Sequence, residues 1–205
     1  MEPHQAAEHL QVIRTLMERT ALYRRALAPI LLWCGLLGIA TVITGVTWPA
    51  DTVRSFGTLW FSAAALAIGG SFLLARGQAM RDQEPFWSAP ARRVAQAQLP
   101  ALICGGALDA VLVYADAEEL LVLFVVASVL FYGCAVHAAG FFMARGVKLF
   151  AWLFIGGGLA LLLAIVCFEP DFEIRDAHLG MGLFFGLAHL AYGAYLQFTR
   201  RSVVQ

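Results

Sequence analysis

The sequence predicts an all-α integral membrane protein. Six transmembrane helices form three hairpins in parallel orientation, and an amphipathic cytoplasmic helix precedes them. Three observations carry this prediction. First, 60% of the 205 residues are apolar and only 14% are charged, well short of the share in a soluble domain. Second, runs of about 18 to 24 mostly apolar residues separate the charged clusters, the length a helix needs to cross a bilayer core. Third, arginine and lysine gather in alternate loops, which gives the runs a common orientation.

The same composition excludes several classes. The formal net charge is zero, so there is no overall basic footprint for nucleic acid. Cys34, Cys104, Cys134 and Cys167 all fall inside apolar runs without a CxxC spacing. They read as small packing residues rather than as a disulfide framework or zinc site. The first residues are polar, with no early apolar stretch, so no cleavable signal peptide is expected.

Taken in order, residues 1–26 form an amphipathic cytoplasmic or interfacial segment, and residues 27–205 form the bundle. Over residues 4–26, Leu10, Ile13, Met17 and Ala21 recur at helical spacing, with Glu8, Gln11, Thr15, Glu18 and Arg25 on the other side. Such a helix lies on the membrane surface or docks a cytoplasmic partner, and Arg14 and Arg19 are candidate contacts. The apolar runs come next, at 27–47, 56–75, 97–115, 120–143, 148–168 and 178–198. Pro29 and Pro100 stand near the starts of the first and third, where a missing amide is tolerated.

Orientation is set by the charges. Arg14, Arg19, Arg24 and Arg25 precede the first run; Arg76, Arg81, Arg92 and Arg93 separate the second and third. Arg145 and Lys148 separate the fourth and fifth, and Arg200 and Arg201 come after the sixth. The other loops are acidic, with Asp51, Asp116, Glu118, Glu119, Glu169, Asp171, Glu173 and Asp176. The basic side is cytoplasmic, which places both termini there in an inner membrane.

An internal repeat supports the hairpins. Ser71–Gly77 and Gly140–Gly146 both close an apolar run with Ala-Arg-Gly. This reads as a helix stop, with Arg reaching the headgroups and Gly turning left-handed. Phe131-Tyr132-Gly133-x-Ala135 also matches Phe184-Phe185-Gly186-x-Ala188. Parallel repeats imply a pseudo-symmetry axis along the membrane normal. Gly182 and Gly186 form a GxxxG face for packing within the bundle or between subunits.

Asp109, His137 and His189 are the ionisable residues deep in the runs. Counted from the basic ends at ~1.5 Å per residue, they stand at ~18, ~12 and ~16 Å, within reach of one layer. They are candidates for a ligand-binding or proton-relay cluster. As structural groups, Asp109 would bond a Tyr, Ser or His, and each histidine a backbone carbonyl. Asp109 lies one turn from Gly105 and Gly106, so it should point into a close helix contact. No catalytic residue, metal site or cofactor is assigned. A haem or metal on His137 and His189 is a further alternative. Residues 84–93 present Trp87, Arg92 and Arg93 as candidate partner or lipid contacts, with Trp at the interface and Arg at phosphates. His178 beside Asp176 falls in an acidic loop and is too sparse a signal for a metal.

Three stretches carry a likeness: Glu8–Arg19, Leu130–Ala135, and Gly186-Leu187-Ala188-His189-Leu190-Ala191-Tyr192-Gly193. They resemble a group of uncharacterised small bacterial six-span inner-membrane proteins with an amphipathic N-terminal helix. Their genes often lie beside a winged-helix transcriptional regulator. The likeness implies a sensor or accessory protein, with such a regulator as a candidate partner. Of the intramembrane residues, His189 fits the group pattern and His137 departs from it, which weakens a metal pair. The expected function is therefore non-enzymatic binding of a small apolar ligand, lipid or protein partner, with homo-oligomers open. The alternatives are a small transporter or channel using the Asp109 layer, or a membrane-embedded haem or metal protein.

Overall fold

The computed structural model describes residues 26–48, 52–83, 85–116, 118–168 and 172–201. Among them every regular element is helical. In chain order these are α1 (Ala26–Thr47), α2 (Val53–Arg81), α3 (Ala89–Ala115), a 3-10 turn (Glu118–Leu120) and α4 (Leu121–Ala139). Then come α5 (Arg145–Phe168), α6 (Ile174–Met181), a π-helical segment (Gly182–Ala188) and α7 (His189–Arg201). Six stretches are long and apolar enough to cross a membrane; α6, the π segment and α7 together make the sixth, Ile174–Thr199. This is the helical bundle of a multi-pass membrane protein in a lipid bilayer. The helix expected over 4–26, with Arg14 and Arg19, lies outside the described residues except for Ala26.

Local chemistry sets the helix ends. Thr52 caps α2: its hydroxyl accepts from Ser55 N at 3.1 Å, and Ser55 Oγ accepts from Thr52 N at 3.2 Å. Ser88 caps α3, and Pro90 stands in the first turn. The far end of α3 closes at Asp116, which is left-handed with φ 50°. Its carboxylate also accepts from Arg54 N at 2.8 Å. One aspartate thus ends α3 and places negative charge at the N-terminus of α2.

The structure corrects the reading of Ala-Arg-Gly as a helix stop. α2 runs through Gly77 to Arg81, because Gln78, Ala79, Met80 and Arg81 are good helix formers. The left-handed residue there is Gln83, with φ 54°, and no described glycine has positive φ. In the second copy, α4 has already ended at Ala139, and Arg145 and Gly146 open α5. The phrase lies inside one helix and begins another. The expected start of the third run at 97 also moves: α3 begins at Ala89, so Pro100 is interior. The fourth helix ends at Ala139, short of the expected 143, where the chain turns back with Phe142 N bonded to Ala139 O at 2.9 Å.

Small residues set the packing. α1 lies directly on the sixth span. A Cβ at Gly35 would stand 2.7 Å from Leu190 N, and one at Gly38 would stand 2.6 Å from Phe185 C. These neighbours are backbone atoms, so neither position has room for a side chain. Lipid tails are as apolar as leucine, so this close contact supplies the attraction that water exclusion cannot. Gly182 and Gly186 meet Val42 and Ile39 of α1; the GxxxG face is therefore used inside the bundle. α4 packs along α3 and α5 and touches α6. Around it lie two apolar clusters, one containing Phe56, Trp60, Leu112, Phe124 and Met181. The other contains Val129, Phe150, Phe154 and Phe184.

α2 is held differently along its length. Val53, Phe56, Gly57 and Trp60 are buried, and Gly57 lies tight against Val113 of α3. Beyond Phe61 its contacts turn to α1: Trp33 Nε1 donates to Leu66 O at 3.2 Å, and Cys34 Sγ meets Ser71 Oγ at 3.5 Å.

Candidate functional site

α4 carries the polar interior. Ser128 and Tyr132 are one turn apart on it, and each reaches a different helix. Ser128 Oγ donates to Asp109 Oδ2 of α3 at 2.7 Å. Tyr132 Oη bonds His189 Nε2 at 2.7 Å. The α3–α4 contact is close here because a Cβ at Gly105 would stand 2.6 Å from Phe131 Cβ, as the glycines beside Asp109 led one to expect.

The two pairs differ in completeness. His189 is 1% exposed, and its Nδ1 lies 3.0 Å from Phe184 O. A carbonyl only accepts, so Nδ1 carries the hydrogen in the neutral ring. Nε2 is then the acceptor, and Tyr132 donates to it. Both ring nitrogens are satisfied. Phe150 and Phe154 meet the ring edge to face at 5.1 and 5.4 Å, and Phe185 stacks on it at 6.1 Å. The π segment ends at Ala188, so the histidine also ties the segment's Phe184 carbonyl by a side-chain bond. Asp109 is 7% exposed, but its Oδ1 is buried with no hydrogen-bond partner among the described residues.

His137 does not join them. It is half-buried on α4, edge-on to Phe141 and Trp152 with ring centroids 5.4 Å away in each case. Along α4 the levels are Ser128 with Asp109, Tyr132 with His189, and then His137. From first to last they span about 14 Å at 1.5 Å per residue. The three candidates therefore do not share one layer. Because α3 starts at Ala89 rather than 97, Asp109 stands about 30 Å rather than about 18 Å along the helix from its basic end. Among the described residues no group of three or more His, Cys, Asp or Glu could hold a metal, and both nitrogens of His189 are engaged in hydrogen bonds.

One site was not foreseen. His178 is fully buried, and Trp60 Nε1 donates to its Nδ1 at 3.1 Å. An indole only donates, so Nε2 carries the hydrogen, and Nε2 is buried without a partner among the described residues. The ring lies against Gly45 of α1 and 4.7 Å from the Phe56 ring. The acidic run before it suggested a loop. The available signal was the helical spacing of Ala177, His178 and Met181, all buried, against exposed Arg175, Asp176 and Leu179.

At the basic end, Trp87, Arg92 and Arg93 are exposed. Phe86 is anchored edge to face on Phe72 at 4.6 Å. Against family models, curated proteins and solved structures, the chain matches none.

Proposed function

We propose that the chain is a non-enzymatic, multi-pass inner-membrane protein that binds a small apolar ligand, lipid or protein partner at the Asp109 level and acts as a sensor or accessory protein. One observation carries this reading. Asp109 is held by a single oxygen, while its second oxygen is buried and unpartnered among the described residues. Buried polar groups in native proteins are paired, and the exceptions call for an explanation. A ligand with one hydrogen-bonding group and an apolar body suits a carboxyl among apolar helices. The basic ends of the spans support cytoplasmic termini. The Phe131–Ala135 and Phe184–Ala188 match supports a common orientation for two of the three proposed hairpins. The cytoplasmic face would meet a protein partner, for which a transcriptional regulator is the candidate.

The test is native mass spectrometry of the protein released from mild detergent. The wild type should carry a small molecule that Asp109→Asn loses. A wild type and variant with identical bound mass would sink this reading.

A second reading is a small transporter or channel. Two buried atoms without partners among the described residues, Asp109 Oδ1 and His178 Nε2, favour it, because polar groups within spans mark ion paths. Solute or proton flux in proteoliposomes, abolished by Asp109→Asn, would decide for transport.

A further inference from the structure

Gly57 and Val113 mark the line along which α2 and α3 face each other. Seven- and eleven-residue steps keep to one face of a helix. On α2 that face continues through Ala64 and Ile68; on α3 it continues back through Gly106 and Leu99 to Arg92. If the helices stayed together, these residues would be buried. Instead Ile68 is 68% exposed, Leu99 is 50% exposed, and Ala64 is exposed. A Cβ at Gly106 would meet nothing within 4 Å. Below Gly57 this face of the two helices is uncovered at Ala64, Ile68, Leu99 and Gly106.

Two aromatic residues bound this opening. Phe61 lies toward α4, with its ring 6.2 Å from Phe124. Phe72 lies against Phe86 of the turn at 4.6 Å. Phe61 and Phe72 are eleven residues apart, or about 16 Å. That is close to half of a bilayer's ~30 Å hydrocarbon core, the depth of one leaflet. The wall is apolar and the mouth is basic. Arg92 closes the α3 face and Arg81 ends α2. Both are exposed and neither forms an ion pair with another described residue. Residues 76–93 carry Arg76, Arg81, Arg92 and Arg93 against only Asp82 and Glu84.

We infer that the opening between α2 and α3 holds one acyl chain of an anionic phospholipid, with its phosphate at Arg92 and Arg81. The chain replaces the missing helix contact, and the arginines select the charge of the headgroup. This goes beyond the Asp109 reading and does not depend on it: Gly106 borders open space, whereas Asp109 bonds α4.

The experiment is native mass spectrometry of delipidated protein with added phosphatidylglycerol or phosphatidylcholine. The wild type should retain phosphatidylglycerol severalfold better. Arg81→Ala with Arg92→Ala should bring it down to the phosphatidylcholine level. Gly106→Phe, at a position with open space, should reduce binding of both lipids. If that variant fails to fold, Ala64→Phe fills the opening from the other wall. Equal retention of both lipids by the wild type, or undiminished retention by the filled variant, overturns the inference.

Discussion

Two buried polar pairs sit one turn apart on α4, and they are built to different standards. Tyr132 and His189 form a closed set: hydroxyl to Nε2, Nδ1–H to the Phe184 carbonyl, and aromatic rings on the remaining faces. Ser128 and Asp109 form an open one, with a single bond and a second oxygen that no described residue meets. A satisfied network in a low-dielectric interior fixes geometry, while an unsatisfied one is a liability unless something uses it. The two residues, alike in the sequence as intramembrane ionisable groups, thus differ in how fully their hydrogen bonds are satisfied, and the proposed binding rests on the incomplete one, Asp109.

The largest expected effect comes from breaking the closed pair. His189→Phe keeps the ring volume but leaves the Tyr132 hydroxyl and the Phe184 carbonyl unpaired. Interhelical hydrogen bonds in membranes contribute about 0.6 kcal/mol on average and up to about 1.7, so the loss should be about 1 to 3 kcal/mol. Thermal unfolding in detergent would show it as a lower midpoint. A variant as stable as the wild type would remove the architectural role.

Trp60→Phe comes next. It strands one histidine nitrogen rather than two partners, and it keeps an aromatic ring beside Phe185. A loss of about 1 kcal/mol is expected, again read from the unfolding midpoint in detergent. Because His178 Nε2 already lacks a partner among the described residues, a larger loss would mean that the Trp60–His178 pair belongs with the closed set.

The smallest effect on stability should come from Asp109→Asn. The amide oxygen can still accept from Ser128, so the change should stay under about 1 kcal/mol. Its consequence should appear in ligand binding instead. A stability loss matching that of His189→Phe would erase the contrast between the pairs.

Parts of this were legible in the chain. The six apolar runs found their helices, because the bilayer-length signal is strong and local. Asp109 beside Gly105 announced a close contact, and Ser was among its expected partners. His189 bonded a backbone carbonyl as expected. Its tie to Tyr132 was not legible, since it joins residues 57 apart and depends on how α4 meets the sixth span. His178 was missed because the acidic run of 169–176 masked the start of a helix. Gly77 misled because a glycine stops a helix only where its C-terminal neighbours cannot carry the helix on, and Gln78, Ala79, Met80 and Arg81 can. Whether Gly182 and Gly186 would face a neighbouring helix or another subunit was undetermined until α1 was seen against them.

The most direct test of the contrast is the chemical accessibility of Asp109 in intact membranes. An apolar carbodiimide, which modifies carboxyl groups from the lipid phase, should label Asp109 in the folded protein. Peptide mass analysis would locate the adduct. The account predicts labelling of the wild type at its native fold, with none at residue 109 in Asp109→Asn. Labelling of Asp109 only after the bundle is unfolded would contradict it, and would place Asp109 with His189 as a purely structural residue.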